Sequence, residues 1–375
     1  MSKPVVPFVD LAAEWLPLKE DIHARISRVF EHGQFVMGPE VIELEQRLAQ
    51  DVGVAFAMTC SSGTIALQMA LMALGVGYGD EVVLPAFTFA APLEAVLLLG
   101  AKPILADIDP HTYCIDADSV AQLISHRTKA IIAVSLYGQP ADFERLSRLA
   151  DLRDIPVIED AAQSYGATLN GRRSGSLSTI GCTSFFPTKP LGGAGDGGAI
   201  FSDDPKIANR IREIREHGQS GRYQHVRLGI NGRLDTIACA ALLPRLDGIA
   251  KAIAQRQSVA SRYDTLLQDA AKLGQIKLPF VRENSTSAYA QYAIQLANRK
   301  RVMEILQECG IQVAVHYPTP LHHQPAFHDH VGFDQLPNAE SASHRVLCLP
   351  IYPALAIDQQ ERTVSALMRA LAEVG

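Results

Sequence analysis

The chain has 375 residues and a formal net charge of −6, with 47% hydrophobic and 20% charged residues. This composition indicates a globular protein long enough for two domains, and the lack of a basic run argues against a nucleic-acid partner. No apolar run approaches the roughly 20 residues that span a bilayer, and no export signal is evident, so we expect no membrane partner and a cytoplasmic location. Six scattered cysteines without a C-x-x-C pair predict reduced thiols.

A rhythm of short apolar runs begins near residue 53. Helix-like patterns alternate with the runs VAFAMT, EVVLPA, KPILADI, KAIIAVSL and IPVIED. This alternation predicts an α/β fold, with a mostly parallel sheet covered by helices on both faces. Ligands bind such sheets beyond the carboxyl ends of the strands, so the residues that follow each run are candidates for chemistry.

The pattern changes near Asp235. The stretch LDTIACAALLPRLDGIAKAIAQRQSVASRYDTLLQDA predicts a long helix that is kinked or broken at Pro244. The stretch SAYAQYAIQLANRKRVMEILQECGIQVAVHYP predicts a strand, a helix and a second strand. We therefore expect a large α/β domain with an N-terminal helical segment at residues 1–245, and a small C-terminal α+β domain at residues 246–375.

A glycine-rich stretch, FFPTKPLGGAGDGGAIFSDD, follows the fifth run. It contains Gly193-x-Gly195-x-x-Gly198, which matches a dinucleotide fingerprint, but it leads into a strand-like run and comes too late in the chain. A P-loop lysine would follow the glycines, whereas Lys189 precedes them. We interpret the glycines as the setting of the lysine, and an NAD-dependent oxidoreductase or epimerase of nucleotide sugars is the alternative.

Lys189 lies between an apolar, aromatic segment and the glycines. Pro190 disfavours a helical backbone at the lysine, and partial desolvation lowers the pKa of a lysine and makes it nucleophilic. Schiff-base chemistry requires such an amine. Most lysines are solvated, so a lysine in a surface loop is the alternative explanation.

Two further features favour this chemistry. Asp160 ends the run VIED, where an aspartate can pair with the pyridinium nitrogen of pyridoxal phosphate (PLP), and Gln163 could hydrogen-bond the ring hydroxyl. Ser62, Gly63 and Thr64 lie at a strand-to-helix junction, which is a ready phosphate site. Helix capping is the alternative for each feature alone, but it does not explain their combination with a lysine.

The chain order of phosphate cradle, acidic ring partner and lysine resembles the fold-type I PLP enzymes. The stretches EDAAQSYGA, CTSFFPTKPLGGAGDGGAIF and GINGRLDTIACAALL resemble the DegT/StrS family of nucleotide-sugar aminotransferases, and the likeness covers nearly the whole chain. The family implies a mostly parallel seven-stranded sheet, a small C-terminal domain and a homodimer with shared active sites. It implies PLP as cofactor, pyridoxamine phosphate as its amino form, and transfer from L-glutamate to a nucleotide-linked ketosugar.

The resemblance assigns a role to each matching residue. Lys189 would hold the cofactor as a Schiff base and shuttle the proton. Asp160 would hold the pyridine nitrogen and Gln163 the ring hydroxyl, while Phe89 would stack on the ring. The cofactor phosphate would be bound by Ser62, Gly63, Thr64, Ser184 and Asn231, the last from the partner subunit.

Within the family, HGQSGRYQHVRLGINGRLDT and AVHYPTPL most resemble members that aminate a UDP-linked 2-acetamido-3-keto-glucuronic acid for bacterial surface polysaccharides such as O-antigen. Arg233, His316 and Tyr317 would then receive the sugar carboxylate, the arginine in a bidentate manner. A structural histidine is the alternative for His316. A neutral 4-keto-6-deoxy sugar is the alternative substrate, and a non-catalytic PLP-binding regulatory protein is the alternative function.

Three details complete the expectations. Lys189 argues against the dehydratases of the family, which carry histidine there. Ala194 stands where many relatives have a bulky residue and predicts a larger site or another substrate preference. The cluster HHQPAFHDH, with His322, His323, His328 and His330, has no cysteine partner, so we expect no metal site.

Overall fold

A computed structural model describes residues 5–332 and 335–374 of the chain. Its strands are β1 (Phe56–Cys60), β2 (Glu81–Pro85), β3 (Lys102–Ala106), β4 (Thr128–Val134), β5 (Val157–Asp160), β6 (Thr168–Leu169), β7 (Arg172–Arg173), β8 (Ile180–Ser184), β9 (Gly198–Ser202), β10 (Gln219–Gly221), β11 (Gln224–His225), β12 (Ile276–Lys277), β13 (Tyr292–Leu296) and β14 (Val346–Leu349). Its α-helices are α1 (Leu11–Trp15), α2 (Lys19–His32), α3 (Pro39–Val52), α4 (Gly63–Ala73), α5 (Ala91–Leu97), α6 (Ala117–Leu123), α7 (Phe143–Asp151), α8 (Pro205–Arg215), α9 (Thr236–Asp247), α10 (Ile249–Lys272), α11 (Arg299–Glu308), α12 (Pro337–Arg345) and α13 (Ile357–Val374). Short 3₁₀ turns lie at Leu16–Leu18, Leu136–Gly138 and Leu321–His323. Among these described helices, none combines the length and the apolar character needed to cross a membrane.

A seven-stranded sheet with the order β1-β9-β8-β5-β4-β2-β3 forms the centre of the large domain. β9 runs antiparallel to both of its neighbours, and the other neighbouring pairs are parallel. On one face Val82 and Leu84 pack with α4 and α5, and on the other Val83 packs with α6 and α7. Helices on both faces explain why the strands are continuous apolar runs, so the predicted α/β class is confirmed.

The parallel strands bring chemically useful residues to one edge of the sheet. Val134 and Asp160 end β4 and β5 and pair with each other, and Asp160 also pairs with Cys182 in β8, which ends at Ser184. β1 points the same way, because β9 lies antiparallel between β1 and β8. The start of α4, the end of β5 and the end of β8 therefore meet at this edge.

The C-terminal part has a core of its own. Its strands β12, β13 and β14 pair antiparallel, and Tyr263, Ile294, Leu347 and Leu367 belong to one buried cluster. Val6 from the N-terminal segment also belongs to this cluster. The domain boundary at residues 245/246 stays a prediction.

Two local predictions in this part need correction. The predicted kink or break at Pro244 is wrong in position. Helix α9 continues through the proline, and the helical path is interrupted at Gly248, before α10. The second strand expected after α11 forms only the isolated bridges Val6↔Ile311 and Ala314↔Cys348. The reason is that the segment divides its hydrogen bonds between two partners: the Gln312 N–H donates to the Val6 carbonyl, and Ala314 bonds Cys348 at the outer edge of β14, so no continuous ladder forms.

Candidate active site

The junction of β1 and α4 forms one wall of a candidate site. The hydroxyl of Ser62 caps α4 by accepting the Ile65 N–H at 3.1 Å. Gly63 begins the helix against the end of β8, where an added Cβ would lie 2.7 Å from the Cβ of Ser184. Thr64 follows in the first turn, whose free N–H groups attract anions. Only glycine allows this close approach, and the resulting cradle has the character of a phosphate site.

Asp160 lies at the floor of the site. It ends β5, is 8% exposed, and its Oδ1 accepts the Ala162 N–H at 3.0 Å. Burial raises the pKa of Asp160, whereas the Ala162 N–H and the positive charge of Lys189 lower it. A turn follows Asp160 instead of a helix, so the alternative of a helix cap is wrong.

Lys189 projects from a tight loop between β8 and β9. Its backbone N–H donates to the carbonyl of Phe186 at 2.8 Å. A Cβ at Gly192 would lie 2.1 Å from the carbonyl oxygen of Pro187, so the glycine lets the loop fold back on itself. Burial lowers the pKa of the half-buried Lys189, and Asp160 raises it. The glycines therefore shape the loop of the lysine, as predicted, and lead into a strand.

Gln163 connects two tyrosines at the side of the site. Its Oε1 accepts the backbone N–H of Tyr137 at 2.8 Å, and its Nε2 donates to the hydroxyl of Tyr317 at 3.4 Å. Burial and the nearby charge of Asp160 raise the pKa of Tyr317, so its phenol stays protonated. Burial and the charge of Lys189 lower the pKa of His316, which keeps this imidazole neutral.

These residues share one cavity of about 430 Å³. The predicted residues that line it are Ser62, Gly63, Thr64, Phe89, Asp160, Gln163, Ser184, Lys189, His316 and Tyr317. The ring centroid of Phe89 lies 6.2 Å from that of Tyr317, and Phe89 is 56% exposed. An aromatic ring and a buried carboxylate in the lining of one cavity suit a planar ring ligand.

Sequence reasoning missed several other residues of the cavity. Thr88 and Gln291 line it as well, and Tyr137 lies directly behind Gln163. Tyr137 follows β4 at the carboxyl edge of the sheet, so the rule that directed attention to Asp160 could also have found it. Gln291 precedes β13 in the C-terminal part, and no local signal marks it.

Two predicted residues lie outside the cavity. Asn231 is exposed and forms an isolated bridge with Glu216. Arg233 lines a neighbouring cavity of about 700 Å³, together with Ala194. Asp196 lines both cavities, so they adjoin. The expected enlargement at Ala194 therefore concerns the neighbouring cavity and not the one that holds the lysine.

Two of the four histidines of the predicted cluster lie together beside a glutamate. His322, His323 and Glu340 place their possible ligand atoms within 4.8 Å of one another. His322 Nε2 lies 3.3 Å from Glu340 Oε1, so the two side chains hydrogen-bond each other. This hydrogen bond accounts for the approach of His322 to Glu340, and the prediction that no metal binds there remains untested.

The sequence profile of the DegT/DnrJ/EryC1/StrS aminotransferase family matches residues 17–368. The chain belongs to this family. It is 50% identical, over 94% of its length and 96% of the relative, to the UDP-2-acetamido-2-deoxy-3-oxo-D-glucuronate aminotransferase of Pseudomonas aeruginosa. The crystal structure of S. venezuelae DesV with a ketimine intermediate matches with a TM-score of 0.96, at 36% identity and full coverage (100%) of both chains.

A second solved structure bears on the cofactor. The Bacillus subtilis protein NtdA with bound PMP matches with a TM-score of 0.92 at 31% identity, over 99% of this chain and 86% of the other. The predicted fold, the PLP cofactor and the aminotransferase class are confirmed. The site of the chain fits this cofactor, because it offers an amine of lowered pKa, a buried carboxylate and a phosphate-sized cradle in one cavity.

Proposed function

We propose that the chain transfers an amino group from L-glutamate to carbon 3 of UDP-2-acetamido-2-deoxy-3-oxo-glucuronate. The observation that carries this proposal is the 50% identity, along nearly the whole chain, to a relative named for that substrate. The product is a 3-amino sugar acid, which suits the synthesis of a bacterial surface polysaccharide such as O-antigen. We place the enzyme in the cytoplasm, in keeping with the free state of all six cysteines.

The residues of the cavity take the following roles in this proposal. Lys189 binds the cofactor and moves the proton at the reacting carbon through its Nζ, because burial favours its neutral, basic form. Asp160 holds the pyridine nitrogen, and Gln163 directs its amide donors toward the ring hydroxyl. Bound PLP supplies an electron sink for the carbon next to the transferred nitrogen. The cradle at Gly63 holds the cofactor phosphate.

The sugar carboxylate is the group that distinguishes this substrate from a neutral sugar. His316 and Tyr317 line the cavity as uncharged donors, which suits hydrogen bonds to an anion without excess positive charge. Arg233 lies in the adjoining cavity, and we assign it to the carboxylate as the charged, bidentate partner. Asn231 belongs to the phosphate of the partner subunit in a homodimer.

A visible absorption spectrum tests the cofactor chemistry. We expect wild-type protein supplied with PLP to show the band of the lysine-bound cofactor, and L-glutamate to bleach it. Lys189→Ala should show no such band, whereas Lys272→Ala, which changes an exposed lysine of α10, should behave like wild type. Folded wild-type protein without the band, or bound nicotinamide in its place, would refute the assignment.

A substrate comparison tests the sugar. The aminated enzyme should convert the 3-keto-uronate at least about tenfold more efficiently than a 4-keto-6-deoxy sugar, because the neutral sugar leaves Arg233 without its carboxylate. A clear preference for the 4-keto sugar would move the substrate to that class. A complete lack of the glutamate half-reaction, with the cofactor bound, would favour the regulatory protein.

A further inference from the structure

Three hydrogen bonds link Gln163, His316 and Tyr317, which line the active-site cavity, to Tyr137 behind them, and the chain itself closes them into a circuit. The backbone N–H of Tyr137 donates to Gln163 Oε1 at 2.8 Å, and Gln163 Nε2 donates to the Tyr317 hydroxyl at 3.4 Å. The hydroxyl of Tyr137 donates to the backbone carbonyl of His316, which a peptide bond joins to Tyr317. The circuit therefore connects the loop after β4, the turn after β5 and the segment after α11.

The circuit determines which way the Gln163 amide faces. A backbone N–H can only donate, so the amide oxygen of Gln163 must face Tyr137. The amide nitrogen must then face Tyr317 and the cavity. The main chain of Tyr137 thus fixes the donor face of Gln163, whatever side chain residue 137 carries.

The hydroxyl of Tyr137 has a separate task. Burial raises the pKa of Tyr137 well above its usual range, so the phenol remains a donor to His316. Its ring lies against Tyr113, with centroids 5.1 Å apart at 74°, and the Tyr113 hydroxyl accepts a hydrogen bond from Gln295 Nε2 at 2.8 Å. A buried, packed phenol of this kind holds the His316 carbonyl in one position.

We propose that Tyr137 is a positioning residue for recognition of the sugar carboxylate. It is absent from the residues that line the cavity, so it acts through the His316–Tyr317 segment and not by touching the substrate. The inference rests on the proposed function, because His316 and Tyr317 are the assigned carboxylate contacts. The main chain of Tyr137 orients Gln163 on the cofactor side of the site, and the Tyr137 hydroxyl holds the His316 carbonyl on the sugar side.

The substitution Tyr137→Phe separates these two tasks, since it removes the hydroxyl and keeps the ring and the backbone N–H. We expect the spectrum of the bound cofactor to match that of wild type. The kcat/KM for the 3-keto-uronate, relative to its analogue with a hydroxymethyl group in place of the carboxylate, should fall about tenfold, mainly through KM. Calorimetry should show about tenfold weaker binding of the 3-amino-uronate product to the holoenzyme.

Tyr113→Phe is the matched control, because it removes a neighbouring buried hydroxyl that lies outside the circuit. It should change the ratio less than about twofold. The proposal is overturned if Tyr137→Phe keeps the wild-type ratio, if both variants lose it equally, or if Tyr137→Phe does not fold. A wild type without preference for the uronate refutes the proposed function itself, whereas a preference that survives Tyr137→Phe refutes only the role of Tyr137.

Discussion

Glu159 and Asp160 are neighbours in β5 that face opposite sides of the sheet, and both are buried. Asp160 faces the cavity and the charge of Lys189. Glu159 accepts hydrogen bonds from the Ser174 hydroxyl at 2.6 Å and from the Leu177 N–H at 3.1 Å. Because successive side chains of a strand point to opposite faces, Asp160 is available for catalysis while Glu159 stabilises the loop before β8.

The stability of the protein should depend on the ionisation of Glu159. Burial raises the pKa of Glu159 from 4.5 to about 7. The folded state therefore holds the Glu159 proton more tightly than the unfolded state does. The protonated carboxyl stabilises the fold fully below pH 4.5, and this stabilisation is lost as the pH rises through about 7. Relative to Glu159→Gln, the wild type should lose about 3 kcal/mol of unfolding free energy between these limits.

Urea denaturation at both ends of this pH window measures the difference. Glu308→Gln, which changes an exposed carboxylate of α11, is the control and should track the wild type at each pH. If the two glutamine variants show the same pH dependence, burial does not control the proton on Glu159.

At the scale of elements, the contact between α4 and β8 joins the phosphate cradle to the rest of the site. Gly63 is the first residue of α4, and Ser184 is the last of β8. The loop that carries Lys189 begins directly after Ser184. A change in the spacing of the two elements therefore moves the cradle relative to the lysine.

Gly63→Ala should separate α4 from β8, because its Cβ would lie 2.7 Å from that of Ser184. We expect a loss of about 1–3 kcal/mol in stability and a weaker affinity for PLP, measured by absorbance titration. Gly77→Ala is the matched control, since a Cβ there meets nothing within 4 Å. Equal PLP affinity in wild type and Gly63→Ala would show that the cradle does not bind the cofactor.

At the scale of the whole molecule, the single chain leaves part of the proposed site unfinished. Asn231 and Arg233 lie outside the cavity that holds Lys189. The neighbouring cavity is lined by Phe35 and Val36, which are 42% and 54% exposed. Exposed apolar residues around a cavity are typical of a surface that another protein covers. We propose that a second copy of the chain covers this face and supplies Asn231.

Mixed dimers test whether the site is shared. Lys189→Ala and Asn231→Ala, each inactive or impaired alone, are combined with two different affinity tags and the mixed dimer is isolated. If Asn231 serves the partner's lysine, one site of the mixed dimer is complete and about half of the wild-type activity returns. If Asn231 serves its own chain, every site carries one defect and no activity returns.

The chemistry of the site was accessible from short stretches of sequence. The strand runs, the glycine loop around Lys189, and the positions of Asp160 and Gln163 depend on neighbouring residues, and their pattern together resembled one family. The cradle was predictable for the same reason, because Ser62 and Gly63 mark a helix start by local rules. The resemblance of the segments around Arg233 and His316 to particular members of the family also suggested the sugar substrate.

The remaining features depend on residues that are far apart in the chain. Tyr137 and His316, which hydrogen-bond each other, are separated by 179 positions, and no pattern of neighbours predicts such a bond. The segment after α11 divides its hydrogen bonds between Val6 and β14, and so forms isolated bridges instead of the predicted strand. Local propensities act over a few residues, whereas the pairing partners of a segment and the direction of a buried donor are decided only when distant segments pack together.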